Sequence, residues 1–278
     1  MKRRKLYIGT HLALVLIGAV MVLPLIYMTV NAFKPYDEFF LWPPRFWVRH
    51  PTLEHFAGLF LSTDASTVPI SRYVFNSVFV TAVTVSLILV IQSMAAYPLA
   101  KHRFPGKRVV YLLNMAAFMF ATEVVQIPRF LVVNALGMVD TYWALIIPLL
   151  AQPFMVFLLV QYMSEVPEAL LEAAKIDGAN QWYVYSRVVM PLIRPALATV
   201  LIFTFIAIWR DGFSPIVYIR SEALKTLPVV MSTIFGGGVG RAGPAAAASF
   251  LMTAPTVVIF VLLQRHVLST MAYSGIKE

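Results

Sequence analysis

The sequence predicts an all-α polytopic membrane protein with six transmembrane helices, and three observations carry that expectation. Of its 278 residues, 60% are hydrophobic and only 13% charged, about half the charged share of a soluble domain. Apolar runs of about 20 residues recur, the length a helix rising about 1.5 Å per residue needs to cross the hydrocarbon core. Lys and Arg gather in short segments between those runs, the pattern that sets orientation in a bilayer. The net charge of +9 is therefore read as topology, with membrane lipid as the surrounding partner and no nucleic acid.

Taken in order, the first span covers 6–30. It is 25 residues without Lys, Arg, Asp or Glu, preceded by "MKRRK". A secretory signal has an apolar core of only about 7–15 residues, so this run is expected to stay as an uncleaved helix. The second span is 74–100 and the third 109–133, which carries Glu123, Pro128 and Arg129. The fourth is 143–163. The fifth, 192–212, is interrupted by "WRDG" at Trp209–Gly212, and the sixth is 245–263. Met1–Lys5 and Lys101–Arg108 each hold four basic residues. They place the N-terminus inside, and six spans then return the C-terminus inside.

Asn31–Arg72 becomes a long outer loop whose "LWPPRFW" places Trp42 and Trp47 at an interface. "GGGVGRAG" at Gly236–Gly243 reads as a flexible outer loop. It lacks the G-x-x-x-x-G-K-[ST] pattern of a phosphate loop, which is absent throughout the chain. There is no cysteine, which excludes disulfides, zinc thiolates and cysteine nucleophiles. The five histidines form no H-E-x-x-H pair, so no metal site and no intramembrane metalloprotease is expected. The whole of 1–278 reads as one transmembrane domain without a soluble module.

The least membrane-like stretch inside the apolar region is "EAAKIDGANQWYVYSRVVMPLIRP", Glu172–Pro195. With Pro167 suited to a first helical turn, a helix is expected from there to Gly178, where glycine allows the left-handed geometry that ends helices. Glu168, Glu172 and Lys175 would share one face, and Ala169, Ala173 and Ile176 another. Asn180 is a candidate cap for a second helix, with Trp182, Tyr185 and Val189 at helical spacing until Pro191. Two readings follow: a loop lying on lipid headgroups, or a docking element for a soluble partner. Glu165, Glu168 and Glu172 beside an often anionic leaflet fit the first poorly.

That stretch resembles the EAA loop of importer permeases of the ATP-binding cassette class. Glu172, Ala173, Ala174, Asp177, Gly178, Ala179, Tyr185, Pro191 and Pro195 fall in register with the pattern E-A-A-x-x-D-G-A, an aromatic, then P-x-x-x-P. "VNAFKP", "NSVFVTAVT", "AAYPLAKHRFPGKR", "ATVLIFTFIAIWRDGFSPIVYI", "KTLPV" and "QRHVLSTMAYSGIKE" are similar to the carbohydrate-uptake, maltose-permease-like branch. The resemblance implies a permease subunit with the type I (methionine-importer-like) fold in a bacterial cell membrane. It implies a second homologous permease subunit, two ATPase subunits and an extracytoplasmic sugar-binding protein as partners. The segment 164–191 would be the cytoplasmic coupling loop, with Glu172, Ala173, Ala174, Asp177, Gly178 and Ala179 meeting an ATPase subunit. ATP and Mg would be bound by those subunits, with no catalytic residue and no cofactor in this chain.

Ionisable residues inside spans are expensive and are functional candidates by default. Glu123, Gln126, Trp209, Arg210 and Asp211 are therefore candidates for a substrate path, with pairing of Glu123 and Arg210 as the structural alternative. Gln92, Asn114 and Gln152 are expected in interhelical hydrogen bonds. The family usually has W-N-D where Trp209–Arg210–Asp211 stand, and a small residue at the position of Glu123. These departures suggest an acidic or unusual saccharide. The tail Gly275–Glu278 also departs from the family pattern. The competing readings are a non-sugar importer permease and an ATP-independent secondary transporter, which ATP dependence would separate.

Overall fold

The computed structural model describes residues 2–43, 45–61, 68–235 and 242–274. Most of the glycine-rich loop, 236–241, and the tail 275–278 lie outside them. Most of the described residues are helical, and there is no strand among them. The chain forms two compact units, Met1–Ser71 with Val229–Ala254, and Arg72–Pro228 with Pro255–Glu278.

The first unit opens with α1, Lys2–Ala32, whose residues 9–25 are all exposed, as expected of a helix whose solvent is lipid. The short helices α2 (Tyr36–Phe39) and α3 (Glu54–Leu61) follow. Two charges are buried here, and backbone groups satisfy both. Lys34 Nζ donates to Arg45 O at 2.8 Å, while the Glu38 carboxylate accepts from the amides of Arg49 and His50, each at 3.2 Å. Trp42 and Trp47 stand exposed.

The second unit is built on α4, Ile70–Lys101, a single 32-residue helix. Then come α5 (Lys107–Met119), α6 (Thr122–Ala135) and α7 (Tyr142–Ile146), the last running into a 3₁₀ turn. They are followed by α8 (Pro153–Glu165), α9 (Glu168–Ile176) and α10 (Gln181–Tyr183). A π-helical stretch, Val184–Val189, leads into α11 (Met190–Leu192), α12 (Arg194–Trp209) and α13 (Phe213–Tyr218). The remaining helices of the chain are α14 (Leu227–Phe235) and α15 (Ala242–Ser274). Ile88, Leu145, Leu159, Met163, Val184 and Ile193 form the centre of this unit's core. Gln92 donates to Leu150 O, and Asn114 Nδ2 to Pro153 O at 3.1 Å. Both tie one span to another.

By length and composition, α1, α4 and α15 are each sufficient to cross a membrane, and three bent pairs bring the candidate spans to six. The pair α5 and α6 bends by 110°. The break falls at Phe120, which is extended (φ −74°, ψ 127°), so 109–133 is two helices rather than one. The 143–163 region bends by 45°, where Pro148 and Pro153 each remove a backbone donor. The third break, 77°, lies between Leu192 and Arg194. Pro191 lies in the last turn of the continuous helix Gln181–Leu192, one residue before its end. Val189 and Met190 ahead of it both have α-helical backbone angles, so its missing N–H removes a helical bond just where the helix stops.

Candidate functional site

The segment 164–191 folds as two short helical arms around a turn. The first arm is α9, with Pro167 as its N-cap and Glu168 in its first turn. Its end is a Schellman motif. Ala179 N–H bonds to Ala174 O at 2.9 Å and Gly178 N–H to Lys175 O at 3.0 Å, the two bonds that satisfy the last free carbonyls of a helix. The motif needs a left-handed residue, and Gly178 has φ +82°. The second arm starts at Asn180, whose Oδ1 accepts from Tyr183 N–H at 2.8 Å.

Between the arms lies a groove of about 630 Å³, lined by Leu170, Ala173, Ala174, Asp177, Asn180 and Tyr183 among others. Glu172, Ala173, Asp177 and Gly178 are exposed, and Ala174 and Ala179 half-buried. Ile176 is 86% and Trp182 60% exposed, while Leu171, Val184 and Val189 anchor the arms in the core. The segment thus presents a small-residue groove with polar and apolar rims.

The C-terminal part of α4 holds both arms. The side chain of Lys101 is only 2% exposed. Its three N–H donors meet Ser164 O at 3.4 Å, Val166 O at 2.5 Å and Glu168 Oε1 at 2.9 Å. A cation is thereby placed on the free carbonyls that end α8. The hydrogen bond from Lys101 holds the Glu168 carboxyl below the usual carboxylate range. Four residues back, the Tyr97 hydroxyl donates to Gln181 Oε1 at 3.3 Å. Four residues further, Ser93 Oγ and Tyr185 Oη share a buried hydrogen bond of 2.7 Å. Nothing in the residue pattern announced these contacts.

The other candidates are placed separately. Glu123 lies exposed in the first turn of α6, with Gln126 half-buried one turn later. Trp209 is buried, its ring stacked on Phe205 at 5.8 Å and 9°. Arg210 is exposed at the end of α12, and among the described residues it is not ion-paired with Glu123. Asp211 Oδ1 accepts from the amides of Phe213 (2.9 Å) and Ser214 (3.0 Å) and so starts α13. Asp211 also lines a cavity of about 10 Å³ with Ser77, Thr81 and Thr226, room for one water at most and none for a sugar ring. No metal-binding cluster of His, Asp and Glu occurs among the described residues.

The family described as binding-protein-dependent transport system inner membrane component matches residues 20–273. Protein LplC of Bacillus subtilis is 31% identical, with 94% of this chain and 91% of that protein covered. The arabinooligosaccharides transport system permease protein AraQ of Halalkalibacterium halodurans is 28% identical, over 94% and 93%. Among solved structures, a bacterial ABC transporter involved in the import of the acidic polysaccharide alginate contains a chain of the same fold. Its TM-score is 0.80 at 22% identity, covering 94% of this chain and 96% of that one.

Proposed function

Because the chain belongs to the family of binding-protein-dependent transport system inner membrane components, we propose that it is the membrane-spanning permease subunit of an ATP-driven importer of oligosaccharides. The observation that carries the reading is the helix–glycine–helix segment, with its exposed acids and its groove, in a chain of this family. In this reading α9 and the second arm seat in a cleft of an ATPase subunit on the cytoplasmic side, where both termini also lie. A second homologous permease completes the path, and an extracytoplasmic binding protein delivers the sugar. ATP and Mg are held by two ATPase subunits, so this chain hydrolyses nothing. It converts their closure into a change of access, which requires that ATP favour one of two membrane states.

The oligosaccharide assignment draws on the AraQ relative, and an acidic sugar draws on the alginate importer. Arg129 and Arg210, in or at the ends of candidate spans and unpaired with any carboxylate among the described residues, favour an anionic sugar.

Two measurements test this. The chain has no native cysteine, so an Ile176→Cys variant is a unique reporter on the exposed rim. It is expected to cross-link to the ATPase in the assembled complex and to be shielded from maleimide there. Equal labelling with and without the ATPase would count against docking. Arg210→Ala is expected to reduce uptake of oligouronides more than of neutral arabinooligosaccharides, and equal losses would remove the acidic substrate.

A further inference from the structure

The second unit contains one element tied firmly at both ends. At its inner end, α4 presents Ser93, Tyr97 and Lys101 four residues apart, hence along one face, and these hold the two arms of the coupling segment as described above. At the other end, Asn76 Nδ2 donates to Ala223 O at 2.9 Å and to Lys225 O at 2.7 Å, while Asn76 Oδ1 accepts from the Tyr142 hydroxyl at 2.7 Å. Ser77 Oγ accepts from Leu227 N–H at 2.8 Å, and Arg72 Nε donates to Ala223 O at 3.2 Å. Asn76 is fully buried and Ser77 nearly so. Both clamps pair side chains of α4 with main-chain and side-chain groups of other segments. They are 25 residues apart, roughly 37 Å along the helix. The direct covalent route from the coupling segment into α12 is different. It passes through six residues of π-helix, a rare geometry found mostly as single-turn bulges within α-helices, and a 77° bend.

We infer that α4 is the transmission rod of this subunit. Lys101 is the positioning residue that makes α4 follow the coupling segment, and Asn76 is the one that makes segment 219–227 follow α4. This rests on the motor-docking reading above and adds the route taken by the stroke. Displacement of α9 and the second arm is passed to Lys101, Tyr97 and Ser93, along α4, and out to Ala223–Leu227 at the opposite face. Glu168 contributes little to the clamp. Its side chain is 63% exposed, and exposed ion pairs are weak; the bonds from the buried Lys101 side chain to the main-chain Ser164 O and Val166 O hold the joint.

The test uses the assembled complex of both permeases, both ATPases and binding protein in proteoliposomes, with Arg220→Cys as the reporter at the outer end. Maleimide labelling of this exposed position is expected to change between the nucleotide-free state and the state with a non-hydrolysable ATP analogue. Lys101→Met is expected to reduce that nucleotide-dependent change, and binding-protein stimulation of ATP hydrolysis, by about tenfold, with basal hydrolysis and assembly retained. Asn76→Ala is expected to give the same uncoupling although it touches neither the motor nor the coupling segment. Glu168→Gln is expected to change either readout by less than about fivefold. An unchanged labelling response in Lys101→Met, or unchanged stimulation in Asn76→Ala, would overturn the rod. A misassembled Lys101→Met leaves Asn76→Ala as the deciding variant. Absence of any nucleotide response in the unsubstituted complex would overturn the motor-docking reading itself.

Discussion

Gly178 offers a clean quantitative test, because a side chain added there meets nothing. No heavy atom lies within 4 Å of the position its Cβ would take, so a substitution acts through the backbone alone. At φ +82° an L-residue bears about 1–2 kcal/mol of left-handed strain. Asn visits that region more readily because its short polar side chain can bond locally. Gly178→Ala should therefore weaken the docked geometry by about 1 kcal/mol, roughly fivefold in coupled uptake. Gly178→Asn should lose less and Gly178→Val more. Gly178→Pro should abolish coupling, since it fixes φ near −65° and removes the N–H that bonds Lys175 O. The assay is ATP-driven uptake in proteoliposomes, normalised to complex assembled. Refutation would be Asn losing more than Val, or all three non-proline variants matching wild type. Either would mean that the left-handed turn does not set the angle of the arms.

Three further expectations follow from single contacts. Asn180→Ala removes the cap on Tyr183 N–H and should destabilise the second arm by about 1 kcal/mol, seen as faster hydrogen exchange at residues 182–184. Gly243→Ala would place a methyl carbon 2.2 Å from the His55 ring, which is buried and hydrogen-bonded to Lys34 O at 2.6 Å. It should lower thermal stability by about 1–3 kcal/mol, and adding His55→Ala should recover part of that loss as a non-additive pair. The Asp140 carboxyl is held below the usual carboxylate range by the Ser221 hydroxyl and by the amides of Ser221 and Arg220. A lowered folded value means its stabilisation is complete above the ordinary pKa and lost as pH falls through the lowered one. Melting temperature should therefore hold from about pH 8 to 5 and drop below about pH 4, with a shallower acid limb in Asp140→Asn.

The features legible in the sequence are those set by neighbours a few residues away. The turn at Gly178 and the cap at Asn180 each depend on a residue type whose local geometry is special, and each stands where the pattern placed it. The apolar runs likewise gave six candidate spans, because chain length and solvent fix the length of a crossing helix. The clamps were not legible. Lys101 reaches Glu168 across 67 positions and Ser93 reaches Tyr185 across 92, and in the sequence Lys101 reads as one more loop cation. The break at Phe120 carries neither proline nor glycine, so no residue marks it. Pro191, by contrast, is legible as Gly178 and Asn180 are, since its helix ends at Leu192, one residue beyond it. Trp209 and Asp211 stood out as polar or aromatic groups within a span. In the structure one packs on Phe205 and the other starts α13, roles visible only when the neighbouring helices are in place.

The most direct test of the central claim is uptake of labelled oligosaccharides by proteoliposomes holding this chain with its partner permease, ATPases and binding protein, with ATP supplied on the motor side. The account predicts uptake that requires both ATP and binding protein, is indifferent to ion gradients, and is lost in Gly178→Pro while the complex remains assembled. Gradient-driven uptake in the absence of ATP, or full ATP-driven uptake by Gly178→Pro, would contradict it.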